Sequence, residues 1–247
     1  MPPGRTHAGR DLDWDGCFNV RDLGRLAAGG GRETRWGAVV RADGLDHLTD
    51  RGWTALQAHG IRTIVDLRND HEVVEGPDVA NRPVALTSVR VPLDDVADTE
   101  FWRHCRDNDL DGSPLYYRPF LDRKQQRCAA AVARAEPGGV VFHCGGGRDR
   151  TGLVTLLLLA LVGVAPEEIA SDYELSNVRL RRLWAARGEP DQSREIAEIL
   201  TRKGTTARAL VLDVLASLDA AAYLRSGGLT DRDLAAVRER LLTSSES

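Results

Sequence analysis

The sequence predicts an α/β fold: a central sheet of parallel or mostly parallel strands flanked by helices, with a helical C-terminal part. Three observations carry the prediction. Apolar runs of strand length at Ile61 to Leu67, Val89 to Leu93 and Val140 to His143 alternate with segments of helical spacing, the pattern of a sheet wound by right-handed crossovers. The last run passes directly into the glycine-rich Cys144-Gly145-Gly146-Gly147-Arg148-Asp149-Arg150-Thr151-Gly152 and then into an apolar helix, a strand–loop–helix unit. Beyond Pro166 almost everything has helical spacing, over about 166–186, 191–203, 206–218 and 230–242.

Taken in order, residues 1–12 read as a polar, mobile leader, and residues 13–247 as a single domain whose helical portion covers 166–247. Two strand-like runs flank the turn Gly29-Gly30-Gly31, the second being Trp36 to Arg41. Thr49 is placed to cap a short helix ending near Gly60, since Trp53, Leu56 and Gln57 follow at helical spacing. Lys124 to Ala135 is helical, and Pro137-Gly138-Gly139 turns the chain into the strand that feeds the loop. Thr230 with Asp233 forms a capping box with a shorter acid.

The 247 residues, 42% hydrophobic and 28% charged, suffice for one sizeable core. A formal charge of −4 supplies no bulk attraction for nucleic acid or a membrane surface. The first sixteen residues have no hydrophobic stretch of the kind a secretory signal needs. The longest apolar run, Leu153 to Ala165, is too short to span a bilayer. A cytoplasmic protein without stable membrane insertion is therefore expected, and oligomeric state is not readable. Cys17, Cys105, Cys128 and Cys144 stand at irregular spacings without a C-x-x-C pair, which argues against a zinc site or a disulfide framework.

The loop after Val140 to His143 carries the chemistry. A Cys and an Arg five residues apart can close a turn around a tetrahedral oxyanion. Backbone N–H groups of Gly145, Gly146, Gly147 and Arg148 converge on it, and the following helix adds the positive end of its dipole. Arg150 can fork two hydrogen bonds onto phosphate oxygens, and Cys144 in the same field is the nucleophile. His143, one position earlier on the strand, points to the other side of the sheet and reads as a loop support. Thr151 is placed either as a plain first-turn helix residue or as a hydroxyl donor to the sulfur. The dipeptide His104-Cys105 is an internal control: its sixth residue on is Asp111, with no glycines between. A leaving oxygen needs a proton. Asp149 within the loop is the first candidate acid, with Asp94 and Asp95, after the strand Val89 to Leu93, as alternatives; the structural reading of Asp149 is an ion pair that orients Arg148 or Arg150. Arg21, Asp22 and Arg68 read as buried ion pairs supporting the loop. Thiolate and guanidinium do the work a metal would do, so no metal or cofactor is expected.

The His-Cys-x5-Arg-Thr loop resembles the signature of the cysteine-dependent protein tyrosine phosphatases. Further motifs in order sharpen the likeness: Asn19-Val20-Arg21-Asp22-Leu23-Gly24, Arg41-Ala42-Asp43, Asp66-Leu67-Arg68 followed by Glu72, Asp172-Tyr173 with Ser176-Asn177, and the tail with Tyr223-Leu224 and Gly228-Leu229. Together they are similar to atypical bacterial tyrosine phosphatases that also accept phosphoserine, phosphothreonine and phosphoinositides. The resemblance implies a tyrosine-phosphatase-like fold, a cysteinyl-phosphate intermediate, and a phosphorylated protein or phosphoinositide as substrate. It departs from the family in having Arg148 where Lys is common. A phospho-binding module without turnover and a sulfur-transfer enzyme are the readings from other classes.

Overall fold

The computed structural model describes residues 9–73, 83 and 85–244. Its sheet has five strands: β1 (Arg21–Asp22), β2 (Val39–Ala42), β3 (Ile61–Asp66), β4 (Thr87–Arg90) and β5 (Gly139–His143). They are ordered β1-β2-β5-β3-β4. Only β1 runs antiparallel, against β2; the β2–β5, β5–β3 and β3–β4 pairs are all parallel. The expected mostly parallel sheet is present, and β5 lies at its centre.

Parallel strands end on the same edge, so the segments that leave them are delivered to one place. At that edge lie Asp43 after β2, Arg68 to Glu72 after β3, Asp94 beyond β4, and the glycine loop after β5. Segments far apart in sequence become neighbours through topology alone.

Side chains alternate across β5. Val140 and Phe142 join Leu153, Leu156 and Leu157 in the larger core, whereas Val141 packs with Trp53, Leu56 and Ile64 on the opposite face. That second face is covered by α1 (Asp50–Ala58), which begins where Thr49 accepts a hydrogen bond from Gly52 N. The larger core is built around α5 (Asp149–Leu161), in which Leu153, Leu157, Leu158 and Leu159 have no exposure. A helix apolar all round must be enclosed on all sides. Each fully buried Leu is worth about 2 kcal/mol. The enclosing elements include α4 (Gln125–Val132) and four C-terminal helices, α6 (Pro166–Arg187), α8 (Ala207–Ala216), α9 (Ala220–Ser226) and α10 (Asp231–Leu241), whereas α7 (Gln192–Arg202) packs on α6 outside this core. No helix among the described residues is long and apolar enough to cross a membrane.

Three expectations need correction. The strand expected at Val89 to Leu93 lies earlier, at Thr87–Arg90. Pro92 has no N–H and interrupts the ladder, although Val91 N and Leu93 N still donate to Asp66 O and Leu67 O. The helices α2 (Thr99–Asp107), α3 (Tyr117–Arg123) and α9 were not expected; α2 carries its own signals, an Asp98 cap that accepts from Phe101 N and a buried Phe101–Cys105 pair one turn apart. Of the leader, residues 1–8 lie outside the described residues, but Arg10 is buried and donates to Asp22 O and Asp172.

Candidate active site

The loop from Cys144 to Arg148 is turned by hydrogen bonds made to its outside. Gly145 O accepts from Gly44 N at 3.0 Å, Gly146 O from Asn19 Nδ2 at 2.9 Å, and Gly147 O from Arg41 Nη2 at 2.7 Å. A planar trans peptide points its N–H opposite its carbonyl, so holding three consecutive carbonyls outward leaves the N–H groups facing the centre. Gly147 has φ of +66°, and a Cβ there would stand 2.3 Å from Ala42 O, so this position admits glycine alone. Gly145 would meet nothing, and a side chain at Gly146 would only touch Leu180 of α6.

The outer partners are themselves fixed. Asp43, buried at the end of β2, accepts from Phe18 N and Asn19 N and so orients the Asn19 segment. Asp172 of α6 binds Arg10, Arg21 and Arg41 at 3.0, 2.9 and 2.6 Å, all of them buried. Burial would raise the Asp172 carboxyl, but the three guanidinium groups outweigh it and hold it far below the usual carboxylate range. Ser176 Oγ accepts from Arg21 Nη2 at 3.1 Å.

Within the loop, Cys144 is buried on the larger-core side, and the Thr151 hydroxyl donates to its sulfur at 3.2 Å. Arg150 lies against Glu72: Nη1 to Oε1 is 2.5 Å and Nη2 to Oε2 is 2.7 Å, with Asp94 Oδ2 at 3.2 Å from Nη1. A guanidinium has five N–H groups. Glu72 takes one on Nη1 and one on Nη2, and Asp94 stands beside Nη1, so the Nε–Nη2 edge is turned away from both carboxylates. Burial works against the Arg150 charge, but Cys144, Glu72 and Asp94 hold it protonated more firmly than usual. Burial would likewise raise Glu72; the bonds and charge of Arg150 dominate and lower it to about 2. Asp94 is raised, because its burial outweighs the attraction of Arg150, and Glu72 and Asp149 add repulsion. A cleft of about 380 Å³ opens beside Arg150, bordered by Asn69, Glu72, Asp94, Trp102 and Arg106.

The remaining expected residues divide. Asp149 is gripped by Arg148 Nε, 3.1 and 3.2 Å from its two oxygens, and by Nη2 at 3.1 Å; the Tyr173 hydroxyl donates to Oδ1 at 3.2 Å. Arg148 is buried and its Nη2 also donates to Gly112 O, so its side chain is turned back on Asp149. Asp95 pairs with Lys124 and Arg127 rather than with Arg150, which removes it from the acids. Arg21 does support the loop, but through Asp172 and Asn19, not Asp22. Asp22 accepts from Gly24 N, Gly37 N and His59, away from the loop. Arg68 pairs with Asp66 and Asp46 and borders a separate cavity of about 500 Å³ on the α1 side of the sheet. His143 borders the same cavity, its Nε2 3.8 Å from Asp66 Oδ1, so it does lie across the sheet from Cys144. Burial lowers its pKa despite Asp66, which favours the neutral ring. Cys105, the control, is buried on α2 and raised to about 11 by that burial. Among the described residues no group of three His, Cys, Asp or Glu could hold a metal ion.

The chain matches the sequence profile of the tyrosine phosphatase family over residues 12–243. It belongs to that family. A Cupriavidus necator protein named as a tyrosine-protein phosphatase is 33% identical over 68% of this chain and 64% of its own length. A tyrosine-protein phosphatase of Nostoc commune is 30% identical over 65% of this chain and 53% of its own. The chain thus spans under two thirds of these two relatives. The triple specificity protein phosphatase PtpB of Mycobacterium tuberculosis is 29% identical over 92% of this chain and 97% of its own length.

Membership of the family explains why the scattered motifs keep their order: Asn19, Arg41, Asp172 and Ser176 all converge on the outside of one loop. Sequence reasoning quoted these residues without giving them a role, and it did not see Glu72 as the partner of Arg150. The signal was present as an acid four residues after Arg68, but nothing in the spacing says which of the basic residues it meets.

Proposed function

We propose that this protein is a cysteine-dependent phosphatase that hydrolyses phosphotyrosine, and phosphoserine or phosphothreonine with it, through a cysteinyl-phosphate intermediate. The observation that carries the reading is the outward grip on three consecutive loop carbonyls, which leaves an N–H-lined anion site between Cys144 and the free edge of Arg150. A phosphoryl group there accepts hydrogen bonds from the loop and from Arg150 while the Cys144 sulfur attacks phosphorus in line with the leaving oxygen. Thr151 then donates to the sulfur as it leaves. The leaving oxygen takes a proton from a nearby carboxyl. Asp149 belongs to the loop itself, whereas Asp94 borders the cleft beside Arg150, and its surroundings raise its pKa.

The name of the M. tuberculosis relative supports breadth across phosphorylated residues. A phosphoinositide is the second reading, suggested by the basic residue in the loop. Arg148, however, is buried against Asp149 instead of facing a second phosphate, and this ranks phosphoproteins first.

The test is turnover of a phosphotyrosine peptide, a phosphoserine peptide and a set of phosphoinositides with chelator present, alongside Cys144→Ser. Turnover abolished in Cys144→Ser, with peptides ahead of lipids, is expected. Phosphate binding without turnover would instead make this a binding module.

A further inference from the structure

Two carboxyl groups lie near the loop in contrasting surroundings, Asp94 on the cleft beside Arg150 and Asp149 at the loop's end. Resting on the phosphatase reading above, we propose that they divide the proton transfers: Asp94 protonates the leaving oxygen, and Asp149 accepts the proton of the water that releases phosphate. One catalytic cycle needs an acid in its first half and a base in its second. A carboxyl poor in donors suits the first role and one gripped by donors suits the second, without exchanging them.

Asp149 is gripped by donors. Arg148 and Tyr173 direct three donor hydrogens at it, and a carboxylate has about four acceptor sites, so one remains for water. Protonating Asp149 would leave the buried Arg148 without an anion, since its other partner is the neutral carbonyl of Gly112. Asp94 is poor in donors, and its burial, with Glu72 and Asp149 nearby, raises its pKa against the attraction of Arg150. Its one side-chain hydrogen bond comes from Asn69, at 3.4 Å onto Oδ2; Arg150 Nη1 lies 3.2 Å from the same oxygen, but its hydrogen bonds go to Glu72. Oδ1 is the oxygen that can carry a hydrogen. A phosphate dianion arriving on Arg150 adds negative charge beside Asp94 and favours that hydrogen further.

The steps balance. The Cys144 sulfur–phosphorus bond forms as the phosphorus–oxygen bond of the ester breaks, and the Asp94 hydrogen goes to the departing oxygen. Water then adds to phosphorus as the phosphorus–sulfur bond breaks, and its proton goes to Asp149. The products are the alcohol or phenol, inorganic phosphate and the Cys144 thiolate. Asp149 loses its proton to solvent and Asp94 regains one, which resets the site.

Aryl phosphates with leaving groups of graded basicity separate the two halves. Phenol release is followed on the millisecond scale, and the cysteinyl-phosphate is measured by rapid quench and intact mass. In Asp94→Asn the rate is expected to fall by about 10²–10⁴-fold for the most basic leaving groups and far less for the most acidic, without phosphoenzyme accumulating. In Asp149→Asn a burst of phenol is expected, with phosphoenzyme accumulating and a steady-state rate independent of the leaving group. Tyr173→Phe, which keeps Arg148 and Asp149 paired, should show the same accumulation more weakly. Steep leaving-group dependence in Asp149→Asn together with none in Asp94→Asn would overturn the division and give both tasks to the loop residue. Accumulation in neither Asp149→Asn nor Tyr173→Phe would also overturn it. Wild-type protein that turns over none of the esters would instead remove the phosphatase reading itself.

Discussion

Arg150 has only part of its guanidinium free of carboxylates. Glu72 bonds Nη1 and Nη2 and Asp94 stands beside Nη1, so the orientation of the remaining edge is fixed by the fold; on the phosphatase reading that edge meets the phosphate. Hydrogen bonds to charged groups are worth about 1.5–3 kcal/mol. Glu72→Gln should therefore lower kcat/KM by about ten- to a hundredfold, read by steady-state kinetics on an aryl phosphate. The same pair has a pH signature. The Glu72 carboxyl is depressed from 4.5 to about 2 on folding. Its contribution to stability is therefore complete above the unfolded value and is lost as pH falls toward the folded one. The gap in thermal midpoint between wild type and Glu72→Gln should be open near neutrality and close between about pH 4.5 and 2; a gap that persists unchanged to the acid end would contradict the ion pair. At this scale Cys144, Arg150 and Thr151 were legible because they are contiguous. Glu72 was not, because its partner lies 78 positions away.

The loop and the helix it feeds form one device, and glycine is required in only part of it. Gly147 sits at φ +66° with Ala42 O in the path of any Cβ, whereas Gly145 has open space around it. Left-handed backbone costs an L-residue about 1–2 kcal/mol, before any clash. Gly147→Ala should lower the thermal midpoint and abolish turnover, while Gly145→Ala should leave stability close to wild type; equal effects of the two would refute the outward-carbonyl geometry. Among the other elements, α1 and α10 were readable from their caps, Thr49 and Thr230, whose side chains do accept from the first turn. Helix α2 was missed although Asp98 caps it, because six of its nine residues are exposed and its apolar stripe is only Phe101, Trp102 and Cys105. The strand beyond Ser88 was misplaced by following its apolar residues through Pro92.

Across the whole molecule, one buried carboxylate ties the N-terminal strands to the C-terminal helices. Asp172 on α6 gathers Arg10, Arg21 and Arg41, and Arg41 passes the constraint to Gly147 O. Removing one partner of a buried ion cluster costs about 3–5 kcal/mol, because it leaves the others uncompensated. Asp172→Asn should therefore unfold at markedly lower denaturant concentration and lose activity in the fraction that remains folded. An unchanged midpoint would mean that the three arginines find other partners.

The sequence by itself determined the alternation of strands and helices, the strand–loop–helix that carries Cys144 and Arg150, and the caps of α1 and α10. These are local properties: periodicity, glycine content and side chains that bond their own backbone within a turn. Only the tertiary structure decided that Arg21 serves Asp172 and not Asp22, that Arg68 faces the other side of the sheet, that Asp95 is taken by Lys124, and that Asp149 and Asp94 stand in opposite surroundings. A charged side chain pairs with whatever the topology brings within a few ångströms, and the strand order β1-β2-β5-β3-β4 brings together residues that no spacing in the chain connects.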